Sequence, residues 1–241
     1  MRTVLVTNVT QYTGPGAIEV LLQQHMQVVC HDPTFREQAV RDRFRESHSG
    51  SECMESVDPN ALIDELKTRG IHVDAVVSND VYPITRTPIG EIALDDLRNT
   101  FESVLVFPVQ LTQLLLPEMK VRRSGSFVFV TSARALRPEL GFAVPTSIRA
   151  GATAFALALS REVASFGIQV NVVAPNYLYS EMYYPRARFI DDPHGREHIA
   201  GIVPMGRLGT QEEVGELVAF LASGRSSFVT GQVIYFTGGW P

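Results

Sequence analysis

The chain has 241 residues, 45% apolar and 20% charged, which suits one sizeable α/β domain with a full core and argues against a disordered chain. A formal net charge of −5, from 21 basic and 26 acidic residues, gives no basis for a nucleic-acid or anionic-membrane partner. Cys30 and Cys53 are the only cysteines, so no disulfide framework is expected and a reducing, cytoplasmic setting fits.

The N-terminal MRTVLVTNV reads as a strand, with an apolar run too short for a signal peptide. No run approaches the ~20 apolar residues of a membrane span, so none is expected. Thr3–Thr7 is a β-branched run read as a buried strand. A helix follows Gly14–Pro15–Gly16, with Ile18, Leu21 and Leu22 at helical spacing and Pro15 suited to a first turn. Val28–Cys30 is a second strand, ending at His31–Asp32. Phe35 to Glu46 reads as a solvated helix and Ala61–Lys67 as another. Val73–Val77 is a strand that ends in Ser78–Asn79–Asp80. Leu94 to Met119 is a long helical stretch with Pro108 as a candidate interruption. Ser126–Ser132 is the next strand, followed by a helix near Thr146–Phe166 and a strand at Gln169–Ala174. Residues 176–205 read as loops with short helices, Glu212–Ala222 as a helix and Gln232–Phe236 as a last strand. Strands alternate with helices throughout, which predicts βαβ units, a doubly wound parallel sheet in a three-layer Rossmann-like fold, and one domain over 1–241.

Ligands of such folds gather at the carboxyl ends of the strands. The run from Val128 to Phe155 brings Ser132 and Arg149 to that edge. In dinucleotide folds the first strand–turn–helix carries glycines that let the backbone approach pyrophosphate. Here the turn reads TNVTQYTGPG and keeps only Gly14 and Gly16. Laying the pattern T-G-x3-G-x-G over it from Thr7 puts its glycines on Asn8, Tyr12 and Gly14. The Tyr12 ring is then either an exposed side chain on a tight turn or a filler of the cofactor space that walls a pocket.

Along its full length the chain resembles the short-chain dehydrogenase/reductase superfamily, and within it the halohydrin dehalogenases. The residues that carry the resemblance are T-N-V-T-Q-Y-T-G at Thr7–Gly14, V-S-N-D at Val77–Asp80, Ser132 with Arg149, P-N-Y-L at Pro175–Leu178, and the block Gly206–Ser223. The resemblance implies a reaction without a nicotinamide cofactor. A vicinal haloalcohol closes to an epoxide with loss of halide, and small anions open epoxides in reverse. It also implies that Ser132 binds the substrate oxygen and that Arg149 lowers the pKa of a catalytic phenol. Tyr12, Pro175, Asn176, Tyr177, Leu178 and Tyr184 would form the halide nest. Asp80 would accept from a water chain leading to Arg149. Pairing through Leu94–Met119 and Thr146–Phe166 would give a homodimer or homotetramer.

The pattern breaks at one place. The family spacing is S-x12-Y-x3-R, and the tyrosine position is Pro145 while Ser132 and Arg149 stay in register. Proline suits a first helical turn, so the fold is expected to survive where the usual acid–base step does not. Three explanations stand open: another phenol (Tyr82, Tyr12 or Tyr177) enters the site; Arg149, an ordered water and Asp80 move the proton slowly; or the chain binds a small anion or metabolite without turning it over, or catalyses a different reaction in an inherited pocket. A nicotinamide-dependent reductase is a further rival, opposed by Tyr12, Asn176 and Pro145. Plainer roles are open residue by residue. Ser132 could cap a turn, Arg149 lie on the surface, Asp80 cap a helix, and the tyrosines at 177, 179, 183 and 184 form an interface. His194 and His198 share i, i+4 spacing without a third ligand, so a solvated helix is expected there and no metal.

Overall fold

The computed structural model describes residues 1–83 and 85–241. A seven-stranded sheet, parallel at every pairing, has the order β3-β2-β1-β4-β5-β6-β7. The strands are β1 (Thr3–Val6), β2 (Gln27–Cys30), β3 (Ser51–Cys53), β4 (Ala75–Ser78), β5 (Gly125–Val130), β6 (Ile168–Pro175) and β7 (Val233–Phe236). Between them run α1 (Gly14–Gln23), α2 (Gln38–Ser47), α3 (Pro59–Thr68), α4 (Leu94–Phe101), α5 (Phe107–Arg122), α6 (Ala143–Val163), α7 (Pro193–Ala200) and α8 (Gln211–Ala222).

Successive strand residues point to opposite faces, so an apolar run in a covered sheet feeds two cores. Val4, Val6, Val28, Val77, Val128 and Val130 pack under α1 and α8. Leu5, Val29, Val76, Phe127, Phe129 and Val172 pack with Leu62 of α3, Leu111 of α5 and Leu159 of α6. Helices α1 and α8 approach closely through glycine: a Cβ on Gly215 would meet the Gly16 carbonyl and lie 2.8 Å from Val20 Cγ2.

The structure departs from the sequence reading in three places. The edge strand β3 was not foreseen. Its Ser-Glu-Cys carries no alternating pattern, and it exists because β2 offers parallel partners from Val28 to Cys30. The expected helix over Phe35–Glu46 is split into a 3-10 turn at Pro33–Arg36 and α2. The long stretch is not broken at Pro108. Instead Glu102–Val106 winds as a π turn between α4 and α5, with the Phe107 N–H donating to the Glu102 carbonyl. That widened turn lies where Pro108 withholds an N–H and would press on the carbonyl four residues back. Leu94–Arg122 is long and apolar enough, by length and composition only, to span a membrane, and a third of its most apolar window is buried against the rest of the fold. Leu94, Leu97 and Phe101 lie exposed on its first turns.

Candidate functional site

The carboxyl ends of β1, β5 and β6 and the first turns of α6 surround a cavity. It encloses about 540 Å³ of non-atom space, its open mouth included. Tyr12, Ser132, Arg149, Pro175, Asn176, Tyr177, Leu178 and Tyr184 all line it, together with Arg134, Phe142, Pro145, Thr146 and Tyr183.

The Tyr12 wall is built on a strained turn. Asn8 and Tyr12 adopt left-handed backbone, φ 48° and 55°, where side chains with a Cβ cost about 1–2 kcal/mol each. These are two of the positions at which the dinucleotide pattern has glycine. Buried hydrogen bonds hold the turn. Asn79 donates to the carbonyls of Asn8 and Gln11, both at 2.9 Å, and its Oδ1 accepts from the Thr13 hydroxyl at 2.7 Å. Gln211 donates to the Tyr12 carbonyl at 2.8 Å and the Tyr179 carbonyl at 2.6 Å. The Tyr12 ring is consequently buried, edge-on to Tyr183 with centroids 5.3 Å apart.

Arg149 is 7% exposed and its guanidinium lies 5.3 Å from the centroid of the Tyr12 ring. Its Nη1 donates to the carbonyls of Val130 and Thr131 at 3.1 and 3.3 Å, and Nη2 to the Asp80 carbonyl at 3.3 Å. Its hydrogen-bond partners are all neutral. Asp80 stands behind it and does not line the cavity. Its carboxylate accepts from Ser78 Oγ at 2.5 Å and Asn8 Nδ2 at 3.0 Å. Burial pushes the Asp80 carboxyl up to about 6, against the opposing pull of Ser78, Thr7, Arg149 and Asn8. The direct contact between Asp80 and Arg149 runs through the Asp80 backbone oxygen.

Ser132 does cap a turn: its Oγ accepts the Arg134 N–H at 3.1 Å. Its hydroxyl proton has no protein acceptor among the described residues, and Ser132 lines the cavity. Pro145 is the third residue of α6, where a missing N–H breaks no helical bond. The next residue, Thr146, keeps a buried hydroxyl without a partner. On the opposite wall, Asn176 Oδ1 accepts from the Tyr177 N–H at 3.0 Å and the Tyr184 hydroxyl at 3.3 Å. A flipped amide would set donor against donor there, so the unpartnered Nδ2 belongs on the other side. Tyr177 follows with φ 54°, a third strained residue at this cavity.

The phenols do not replace a tyrosine at 145 in any simple way. Tyr82 is turned away: its hydroxyl meets Asn99 of α4 at 3.2 Å and its ring packs beside Val144 and Ile148. Tyr12 and Tyr177 line the cavity, but burial pushes both phenols above their ordinary value, more than the nearby arginines offset. Tyr184 is shifted the same way by burial, and its proton is committed to Asn176. Elsewhere, no cluster able to hold a metal is found among the described residues. Thr146 and Arg134 were not singled out from sequence, and Asn79 and Gln211 only as members of the resembling stretches Val77–Asp80 and Gly206–Ser223. The signal in the sequence that could have located Gln211 is the capping box of Thr210 and Glu213, which fixes the start of α8.

Residues 19–241 match the family described as enoyl-(acyl carrier protein) reductase. The chain belongs to this short-chain dehydrogenase/reductase family. Relatives within the superfamily include the 3-oxoacyl-(acyl-carrier-protein) reductase FabG of Salmonella typhimurium, 33% identical over 180 residues, 74% of this chain and 71% of that one. The Escherichia coli FabG is 29% identical over 98% of this chain and 95% of its own. Among solved structures, a protein described as a dehalogenation enzyme is 36% identical with a TM-score of 0.93, covering 100% of this chain and 98% of that one. A halohydrin dehalogenase (HheC) bound to ethyl (2S)-oxiran-2-ylacetate is 37% identical with a TM-score of 0.95, covering 99% and 97%.

Proposed function

We propose that the chain is a cofactor-independent carbon–halogen lyase of halohydrin dehalogenase type. It converts vicinal haloalcohols to epoxides and halide, and opens epoxides with small anions. The observation that carries this reading is Tyr12, a buried ring on left-handed backbone at a glycine position of the dinucleotide turn. The remaining turn glycines serve packing: a Cβ on Gly14 would lie 2.6 Å from the Val9 carbonyl oxygen. Such a turn does not fit the close approach of a pyrophosphate.

The chemistry asks three things of the cavity. The substrate hydroxyl sits on Ser132 and Thr146. Its oxygen attacks the neighbouring carbon as the carbon–halogen bond breaks, and its proton passes to water. The buried positive charge of Arg149, compensated only by carbonyl dipoles, stabilises the developing alkoxide. The departing halide meets Asn176 Nδ2 and the aromatic edges of Tyr177 and Tyr184. With no phenol at 145, the general-base contribution of ~10²–10⁴-fold is forgone and a slow enzyme is expected.

The FabG relatives favour a second reading, a nicotinamide-dependent reductase. Bromide release from a vicinal bromoalcohol and quenching or enhancement of NADPH fluorescence separate the two. Bromide above the buffer rate without saturable NADPH binding supports the lyase; saturable NADPH binding with ketone reduction replaces it. Neither result with either probe leaves a binding protein.

A further inference from the structure

Two guanidinium groups, those of Arg149 and Arg134, line the cavity, and none of the residues lining it is an aspartate or glutamate. Arg134 has no part in the reaction proposed above, and its geometry is that of an unfilled clamp. Its guanidinium carbon lies over the Phe142 ring, another wall residue, 4.2 Å from the centroid. Nε is paired with Glu139 Oε1 at 3.3 Å. Nη1 and Nη2, with four N–H bonds, make no hydrogen bond to any described residue. The side chain is 14% exposed and that of Glu139 36%, so the arginine is the more sheltered of the pair. Its charge reaches into the cavity strongly enough to act on the phenols of Tyr12, Tyr177 and Tyr184. A planar, stacked guanidinium with an open edge is the arrangement that receives a carboxylate through two parallel hydrogen bonds.

Resting on the lyase reading for the reaction itself, we infer that the substrates of this cavity carry a carboxylate and that Arg134 binds it. The class is a short halohydrin acid and the corresponding epoxy acid, with the halogen-free hydroxy acid as a binding analogue. The connectivity of the wall fits such a molecule. Ser132, which receives the substrate hydroxyl, is two residues from Arg134 and accepts its backbone N–H at 3.1 Å. Both residues line the same cavity, so a molecule anchored by its hydroxyl on Ser132 shares that space with the Arg134 side chain. Glu139 is the internal competitor: it holds Nε and leaves the open edge for the ligand.

Binding of β-hydroxybutyrate and of its methyl ester tests this without any turnover. Isothermal calorimetry on the wild-type chain should show the acid bound at least about tenfold tighter than the ester, with the preference falling as salt is raised. Arg134→Gln should lose about tenfold to hundredfold in affinity for the acid and little for the ester. Glu139→Gln should bind the acid several-fold tighter, a gain that a damaged fold cannot produce. Equal affinity for acid and ester in the wild type, or parallel loss of both in Arg134→Gln, overturns the inference. A clear acid preference with no chloride released from γ-chloro-β-hydroxybutyrate would keep the carboxylate site and remove the lyase reading.

Discussion

Pro145→Tyr should convert a slow enzyme into a faster one. Residue 145 lies one helical turn before Arg149, and both line the cavity. A side chain at i and another at i+4 share a helix face, so a phenol placed there points along the wall that carries the guanidinium. Arg149 already spends its bonds on carbonyls and keeps its full charge to favour a phenolate. The stability cost is small, because Pro145 occupies the first turn and forfeits no helical hydrogen bond. Losing its restriction of the unfolded chain costs about 0.4–1 kcal/mol. The gain is that of a general base, ~10²–10⁴-fold in turnover, or roughly 3–5 kcal/mol of barrier. Initial rates of bromide release, compared among wild type, Pro145→Tyr and Pro145→Phe, measure it. The phenylalanine variant controls for shape and should show no gain. The tyrosine variant should also acquire an alkaline rise with an apparent pKa below the ~10 of a free phenol. A folded Pro145→Tyr no faster than Pro145→Phe would refute the reasoning and mean that the wall has diverged beyond one side chain.

Asp80 gives a pH-dependent prediction. Its folded value of about 6 lies above the ~3.9 of an unfolded aspartate, so the folded chain binds the extra proton between the two. Stability from this group is therefore greatest below pH ~4, falls as pH rises to about 6, and is level beyond, an amplitude of roughly 3 kcal/mol. Asp80→Asn should lack that slope, and urea unfolding of both proteins at acid and neutral pH reads it; a constant difference between them would be the wrong result. Gly215→Ala, normally favourable in a helix by about 1 kcal/mol, should here destabilise by about 1–3 kcal/mol because its Cβ meets the Gly16 carbonyl. A raised melting temperature would contradict that packing. Thr210→Ala removes half of the capping box with Glu213 and should cost about 1 kcal/mol in the same unfolding assay.

The order of strands and helices was legible because a parallel sheet covered on both faces demands apolar, β-branched runs, and β1, β4, β5 and β6 supply them. Ser51–Cys53 was not legible because an edge strand owes its existence to its neighbour rather than to its own pattern. At the site, Ser132, Arg149, Tyr12 and Pro175–Leu178 could be placed because each sits at a strand end or on a turn of a following helix. Side-chain direction could not be read the same way. Tyr82 leaves the cavity for Asn99, and the carboxylate of Asp80 turns to Ser78 and Asn8, each drawn by a partner distant in sequence or fixed by local loop geometry. Arg134 escaped notice because an arginine in a loop is ordinarily solvated; only the nearness of Phe142 and the curve of the loop shelter it.

Under the lyase reading, the left-handed residues Asn8, Tyr12 and Tyr177 show how this fold could wall off the nucleotide space without changing its sheet. Asn8 and Tyr12 keep the backbone conformation that glycines adopt without strain, and Tyr177 does the same beside Asn176. Each costs on the order of 1–3 kcal/mol, so each must be held from outside. Asn79 and Gln211 do this for the first turn by binding the carbonyls of residues 8, 11 and 12, and the Asn176 side chain fixes the second by accepting the Tyr177 N–H. Side chains on a left-handed, glycine-type backbone project into space that glycines at the same positions would leave open. The rings of Tyr12 and Tyr177 consequently wall a small cavity between the same strand ends, and the strain that positions them is paired with buried hydrogen bonds that a merely decorative aromatic would not require.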